Sequence, residues 1–235
     1  MDMELTYIYH SGFALSGDGF TVIMDYYRDS EDGQAQADLN RLMDGTFSNQ
    51  EAGMPEGTVH SELLRRPGKL YVLASHFHPD HFNKEVLQWR EQRPDIIYIF
   101  SKDILRHRRA QKEDAVWLKK GEEYKDETLS VRAFGSTDVG VSFLLQAGGK
   151  KIFHAGDLNN WHWMDESTEP QWKGAEKTLL HELDDLYAYT PEVDAALRRC
   201  DTVAGYSKYV DFIRDRIHGK RLIETRRGLG YRFVG

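Results

Sequence analysis

Residues 75–82 read Ser-His-Phe-His-Pro-Asp-His-Phe. His76, His78, Asp80 and His81 thus crowd three imidazoles and one carboxylate into a single turn. Neutral imidazole nitrogens and carboxylate oxygens suit Zn2+ or a similar divalent ion such as Mn2+. Two histidines two residues apart at a strand end can point to one side and share an ion. Asp80 and His81, beyond Pro79, can face a second ion or a bound water. A water on such an ion is acidified to a pKa near ~7, which supplies hydroxide at neutral pH. The bland alternative is a histidine-rich surface loop with no chemistry. The apolar strand run before it and the helical spacing after it argue for a positioned loop instead.

The delivering elements are legible. Leu70–Ala74 is an apolar strand run that ends at the loop. Val86, Leu87 and Trp89 have helical spacing, with Asn83 as a cap. Upstream, Leu5–Tyr9 and Phe20–Asp25 read as strands, with a Ser-Gly-Asp-Gly turn between them. Residues 29–68 are polar, contain glycine and carry only weak helical runs, so they read as a long insertion that could form a lid or a contact between copies. Residues 95–100 form a buried-strand run, followed by a short helix capped by Ser101. Leu129–Phe134, Val141–Gln146 and Lys151–His154 are three more strand runs joined by glycine-rich turns. Residues 168–187 are helical, 193–200 suggest a strand, 206–217 a helix, and 220–235 a hairpin turning near Gly228–Gly230. This order predicts helices packed outside a mainly β core.

The loop matches the H-x-H-x-D-H signature of metallo-β-lactamase fold hydrolases. The opening Tyr-Ile-Tyr-His-Ser-Gly-Phe, with its His-containing turn and later strand ending in Asp, resembles the lactonase-like branch of that superfamily. So do Gly-Ser-Thr-Asp-Val-Gly at 135–140 and His-Ala-Gly-Asp at 154–157. The resemblance covers roughly residues 3–215. It implies an α/β fold, an αββα four-layer sandwich, with a metal site at one edge between two sheets. It implies that His76 and His78 bind a first ion, and that Asp80 and His81 bind a second. Asp80 would also orient the attacking water, and Asp157 would bridge the ions. Two departures stand out. Where the superfamily usually has a histidine after the strand ending at Phe134, this chain has Gly-Ser-Thr-Asp, and Asp138 is the nearest ligand. The superfamily's late histidine has no counterpart either, because His218 sits in a basic helix end. His10 and His162 are favoured, ahead of His154, as hydrogen-bond partners of ligands or as substrate contacts. Trp161 could line a pocket wall beside them. His60, His107 and His181 read as surface groups.

Composition sets the frame. With 235 residues, 40% hydrophobic and 29% charged, the chain suits one globular domain. A net charge of −7 gives no overall attraction for nucleic acid or an anionic membrane. Cys200 is the single cysteine, which rules out an intramolecular disulfide and points to the cytoplasm. The N-terminal residues lack the pattern of a signal peptide, and no run approaches a membrane span. Charge is uneven, however. Between Arg214 and Arg232 seven Lys/Arg face two acids. Leu-Ile-Glu-Thr-Arg-Arg-Gly-Leu-Gly-Tyr-Arg-Phe at 222–233 resembles the C-terminal hairpin of OmpR/PhoB-type winged-helix domains. A piece this short cannot bury a core of its own. The expected organisation is therefore a domain at 1–215 and a basic hairpin at 216–235 packed on or extending it.

The resulting expectation is a metal-dependent hydrolase with one or two ions of Zn2+ or Mn2+. Its substrate would be a small ester, lactone or phosphorylated molecule. Alternatives left open are a nuclease or phosphodiesterase that uses the basic tail, and a non-catalytic metal-binding or regulatory module. Homo-oligomerisation is also left open.

Overall fold

The computed structural model describes residues 3–29, 60–158, 168–189, 223–226 and 230–233. An antiparallel meander opens the chain: β1 (Glu4–Tyr9), β2 (Gly12–Gly17) and β3 (Phe20–Met24). β2 adds to the two strands expected there. It is bounded by glycine at both ends, which weakens its signal. β3 then pairs in parallel with β4 (Lys69–Ala74), β4 with β5 (Ile97–Ser101), and β5 with β6 (Val116–Leu118). The result is a six-stranded mixed sheet in chain order. Every residue of β3 is buried, as expected of a strand covered on both faces.

Parallel strands need crossovers, and here helical segments supply them. α1 (His60–Arg65) precedes β4, a 3-10 helix (Lys84–Glu91) precedes β5, and α2 (Lys102–Arg106) follows it. Asn83 caps the 3-10 helix by accepting from the Glu85 amide at 2.9 Å. Ser101 stands at the cap position of α2, yet its side chain makes no capping bond. The second sheet is antiparallel, in the order β10 (Lys150–His154), β9 (Ser142–Ala147), β8 (Leu129–Phe134) and β7 (Glu123–Lys125).

Two apolar layers follow from strand alternation. Leu15, Val22, Met24, Tyr71, Leu73 and Ile99 meet Leu129, Val131, Ala133, Phe143 and Leu145 between the sheets. On the other face of the first sheet, Ile23, Val72, Tyr98 and Phe100 pack against Leu63, Phe82, Val86, Trp89 and Ile104 from the helical side. α3 (Glu169–Tyr189) covers the outer face of the second sheet. Its Leu179, Leu183 and Leu186 are buried, and Tyr189 lies edge-on to Phe134 and under Arg132. The layers run helix, sheet, sheet, helix, which is the expected αββα sandwich.

At the end of β4 away from the histidine loop, Asp126 ties the sheets together. Its carboxylate accepts from Lys69 Nζ (2.9 Å), the Tyr71 hydroxyl (2.8 Å) and the Tyr124 hydroxyl (3.0 Å), and from the amides of Thr128 and Leu129. Burial alone would raise its pKa. The Lys69 bond, the two amides and Tyr71 outweigh burial and hold it well below the usual carboxylate range. A depressed folded pKa contributes stability that is full above the unfolded value of ~3.9 and lost as pH falls toward the folded one. Asp126→Asn is therefore expected to cost about 1–3 kcal/mol at neutral pH, and that deficit shrinks in acid. Urea denaturation at neutral and acidic pH measures both effects.

β11 (Ile223–Arg226) and β12 (Gly230–Phe233) form the expected hairpin and pair with each other as a separate two-stranded sheet. The expected strand at 193–200, the helix at 206–217 and most of the 29–68 insertion lie outside the described residues. No helix among the described residues is long and apolar enough to cross a membrane.

Candidate metal centre

The site begins with a backbone fact. β4 runs its apolar residues straight into Ser75 and His76, which are both fully buried. The chain then turns, with the amides of His81 and Phe82 bonding back to the His78 carbonyl at 3.0 and 2.8 Å. Asp103 of α2 accepts the Phe77 amide at 2.9 Å and pins the outer side of the turn. This folding puts His76 and His81 ring to ring, 4.0 Å between centroids, with His78 edge-on to His76.

Beneath the turn lies Asp25, fully buried at the end of β3 in a left-handed backbone conformation with φ 47°. It takes four donors. Its Oδ1 accepts the Ser75 amide at 2.7 Å, and its Oδ2 accepts Ser75 Oγ at 2.6 Å. His81 Nδ1 and His154 Nε2 each lie 2.8 Å from Oδ2. A carboxylate has about four acceptor sites, so Asp25 is saturated. Burial alone would raise its pKa, but His154 and then His81 hold it well below the usual range.

Those bonds fix the tautomers. The Ser75 hydroxyl has one hydrogen, and it goes to Asp25. Ser75 Oγ, 3.0 Å from His76 Nδ1, is then an acceptor for that ring's N–H. The lone pair of His76 therefore resides on Nε2. That atom is buried and has no hydrogen-bond partner. Burial, together with His81 nearby, lowers the His76 pKa and keeps the ring neutral. His81 donates Nδ1–H to Asp25 and turns Nε2 toward Asp157 Oδ1, 3.2 Å away. Burial opposes charge on His81, yet Asp157 and Asp25 outweigh it and push its pKa up to about 10.

Asp157 enters from the turn after β10. Its Oδ2 lies 3.5 Å from His76 Nε2 while its Oδ1 faces His81, so one carboxylate reaches two places. Asp138 enters from the β8–β9 loop, with Oδ2 3.6 Å from His78 Nδ1. His76, His78, Asp138 and Asp157 offer ligand atoms all within 4.8 Å of one another, and so do His10, Asp80 and His81. Ligands about 2.1 Å from a tetrahedral ion sit roughly 3.3 Å apart, so these separations fit a shared ion. The bare Nε2 of His76 and the all-nitrogen and oxygen donor set fit a divalent ion equally well.

The structure thus brings together all the described candidates: His10, His76, His78, Asp80, His81, Asp138 and Asp157. Trp161 and His162 lie outside the described residues. His107 is exposed and stacks on Phe77 at 3.7 Å. Asp25 and Ser75 join the site with little local signal. An acid closing the apolar run Phe-Thr-Val-Ile-Met is the cue for Asp25, since a buried carboxylate needs partners.

Residues 4–170 match the family model of the "Beta-lactamase superfamily domain". The chain belongs to the beta-lactamase superfamily. Its four-layer fold is that of the metallo-β-lactamases, and members are usually metal-dependent hydrolases. No curated protein matches the sequence. Among solved structures, Igni18, a metallo hydrolase from Ignicoccus hospitalis, is 19% identical with a TM-score of 0.43. The match covers 66% of this chain and 60% of that one. CmlA, a diiron beta-hydroxylase from Streptomyces venezuelae, is 18% identical with a TM-score of 0.44, over 68% of this chain and 30% of that one. YhfI from Bacillus subtilis is 12% identical with a TM-score of 0.40, over 65% and 62%. The chain thus spans less than two thirds of each of these structures.

Gly135 directly follows β8, and α3 packs against it. The Glu182 carboxylate lies where a Cβ on Gly135 would project, and Lys120 holds that carboxylate at 2.7 Å. Gly140 lets the same loop close on the site. Its φ is +75°, and a Cβ there would sit 2.2 Å from the Ser75 carbonyl oxygen and 2.5 Å from His76 Cβ. Gly140→Ala is expected to cost more than about 2 kcal/mol through left-handed strain and overlap. Because the overlap falls on His76, metal binding weakens beyond the loss in melting temperature. Calorimetric titration of the folded variant checks this.

Proposed function

We infer that this chain is a metal-dependent hydrolase that takes a small ester, lactone or phosphorylated substrate. His76, His78 and Asp138 would hold one divalent ion, Asp80 and His81 would face a second, and Asp157 would span both. When bound, such an ion, Zn2+ or Mn2+, supplies Lewis acidity and lowers the pKa of its water. The chain's own contribution is placement. Ser75 holds the His76 ring and Asp25 holds the His81 ring in fixed orientations, each with Nε2 turned toward Asp157. Asp80 stands at the mouth, 42% exposed, with Oδ2 3.8 Å from His81 Nε2, where it can orient an attacking water and accept its proton. The substrate enters from the side of His78, Asp138 and Asp80, which are partly exposed, while the floor of His76 and His81 excludes solvent.

One observation carries this reading: a buried imidazole nitrogen, His76 Nε2, left without a hydrogen bond and facing a carboxylate. A buried polar atom costs free energy unless something binds it. The test is a panel of esters, lactones and phosphodiesters with metal-loaded, chelator-stripped and reloaded protein. Hydrolysis of at least one class, lost on stripping and restored on reloading, is expected. A loaded protein inert to the whole panel contradicts the reading and leaves a metal-binding module.

A further inference from the structure

We propose that His10 is a direct metal ligand, completing with Asp80, His81 and Asp157 a second position whose donors equal those of the first. The proposal rests on the metal-dependent reading above and extends it to a residue outside the histidine loop. The first position gathers two imidazoles, His76 and His78, and two carboxylates, Asp138 and Asp157. Without His10 the second gathers one imidazole and two carboxylates. With His10 the sets match, and Asp157 is the shared member.

Four observations point the same way. His10 Nε2 lies 3.8 Å from Asp80 Oδ2, the oxygen that lies 3.8 Å from His81 Nε2. Its other nitrogen, Nδ1, lies 3.1 Å from Ser11 Oγ, a partner that fixes ring orientation as second-layer groups do for metal histidines. The same Ser11 Oγ is 3.5 Å from His81 Nε2, so one hydroxyl spans both rings. Finally, His10 adopts φ 56° in the β1–β2 turn. A non-glycine residue in that region carries strain that surrounding structure must maintain, and such residues cluster at ligand sites.

The turn is built to hold that conformation. A Cβ on Gly12 would lie 2.9 Å from the Tyr9 carbonyl oxygen and 3.2 Å from that of Asp25. The chain reversal therefore rests directly on the residue that anchors His81. The Tyr27 ring meets His10 edge-on at 6.1 Å. Asn83 fixes Tyr27 in turn, its side chain donating to the Tyr27 carbonyl at 2.7 Å.

The experiment counts ions. Wild-type protein and His10→Gly are stripped, loaded with Mn2+ or Zn2+, desalted and analysed by mass spectrometry. Glycine keeps the left-handed turn at no steric cost. Two equivalents in wild type and one in His10→Gly, with the spin-coupled Mn2+ resonance replaced by an isolated-ion signal, are expected. Two equivalents with unchanged affinity in His10→Gly overturn the proposal but leave the hydrolase reading intact. One equivalent in both proteins also overturns it, since no second position then exists. No bound metal in wild type overturns both.

Discussion

His76→Ala is expected to remove most of the bound metal at the first position and lower hydrolysis by about 10³. The magnitude follows from the several kcal/mol a Lewis-acid ion contributes to the transition state, at ~1.4 kcal/mol per tenfold. Structure makes this residue more sensitive than His78. His76 is fully buried with its tautomer set by Ser75, whereas the His78 side chain is 37% exposed. Alanine also removes a ring packed against His81 at 4.0 Å, so some loss of stability accompanies the loss of metal. Metal content and turnover of the folded variant, measured alongside His107→Ala as an exposed histidine control, separate the two effects. A His76→Ala protein that retains metal and rate sinks the assignment.

The second large effect falls on a residue that touches no ion position. Asp25→Asn leaves an acceptor for the Ser75 amide but turns an NH2 group toward Ser75 Oγ, His81 Nδ1 and His154 Nε2. Removing one charge from a buried hydrogen-bonded set typically costs about 3–5 kcal/mol. His81 then loses the partner that keeps its proton on Nδ1, and metal affinity is expected to fall about 10–100-fold. The pH response identifies the cause. Asp25 has a depressed pKa, so its contribution to stability is full above the ordinary carboxylate value and lost as pH falls. Wild type should therefore weaken in acid more steeply than Asp25→Asn. Equal acid limbs in the two proteins would show that Asp25 is not the charged anchor described here.

These two residues also mark what the sequence discloses. His76 announces itself because the whole strand–loop–helix unit is contiguous: apolar Leu70–Ala74, the histidines, then Asn83 capping the next turn. Asp157 is legible only through its resemblance, since Gly-Asp after a strand is otherwise a common turn. Asp138 reaches His78 from 60 positions down the chain, and that meeting depends on Gly140 closing its loop, which no local periodicity encodes. Asp25 is harder still. Its partners Ser75 and His81 follow β4 of the first sheet and His154 ends β10 of the second, so its role exists only once the sandwich is assembled. The fold was legible for the same reason His76 was. Apolar strands such as β4, β5, β8 and β9 carry their own signal, while β2 is bounded by glycine at both ends and β6 and β7 have only three residues each. Segment 83–94 carried the right period, but its turns are tightened to a 3-10 helix, with Trp89 buried against Tyr26 at 4.7 Å.

The most direct test of the account is the metal content of the purified wild-type chain after exposure to stoichiometric Zn2+ or Mn2+. The ligand geometry predicts tightly held ion surviving desalting, at one equivalent or more per chain, and lost on chelation. Less than about a tenth of an equivalent, with the protein folded, would contradict it.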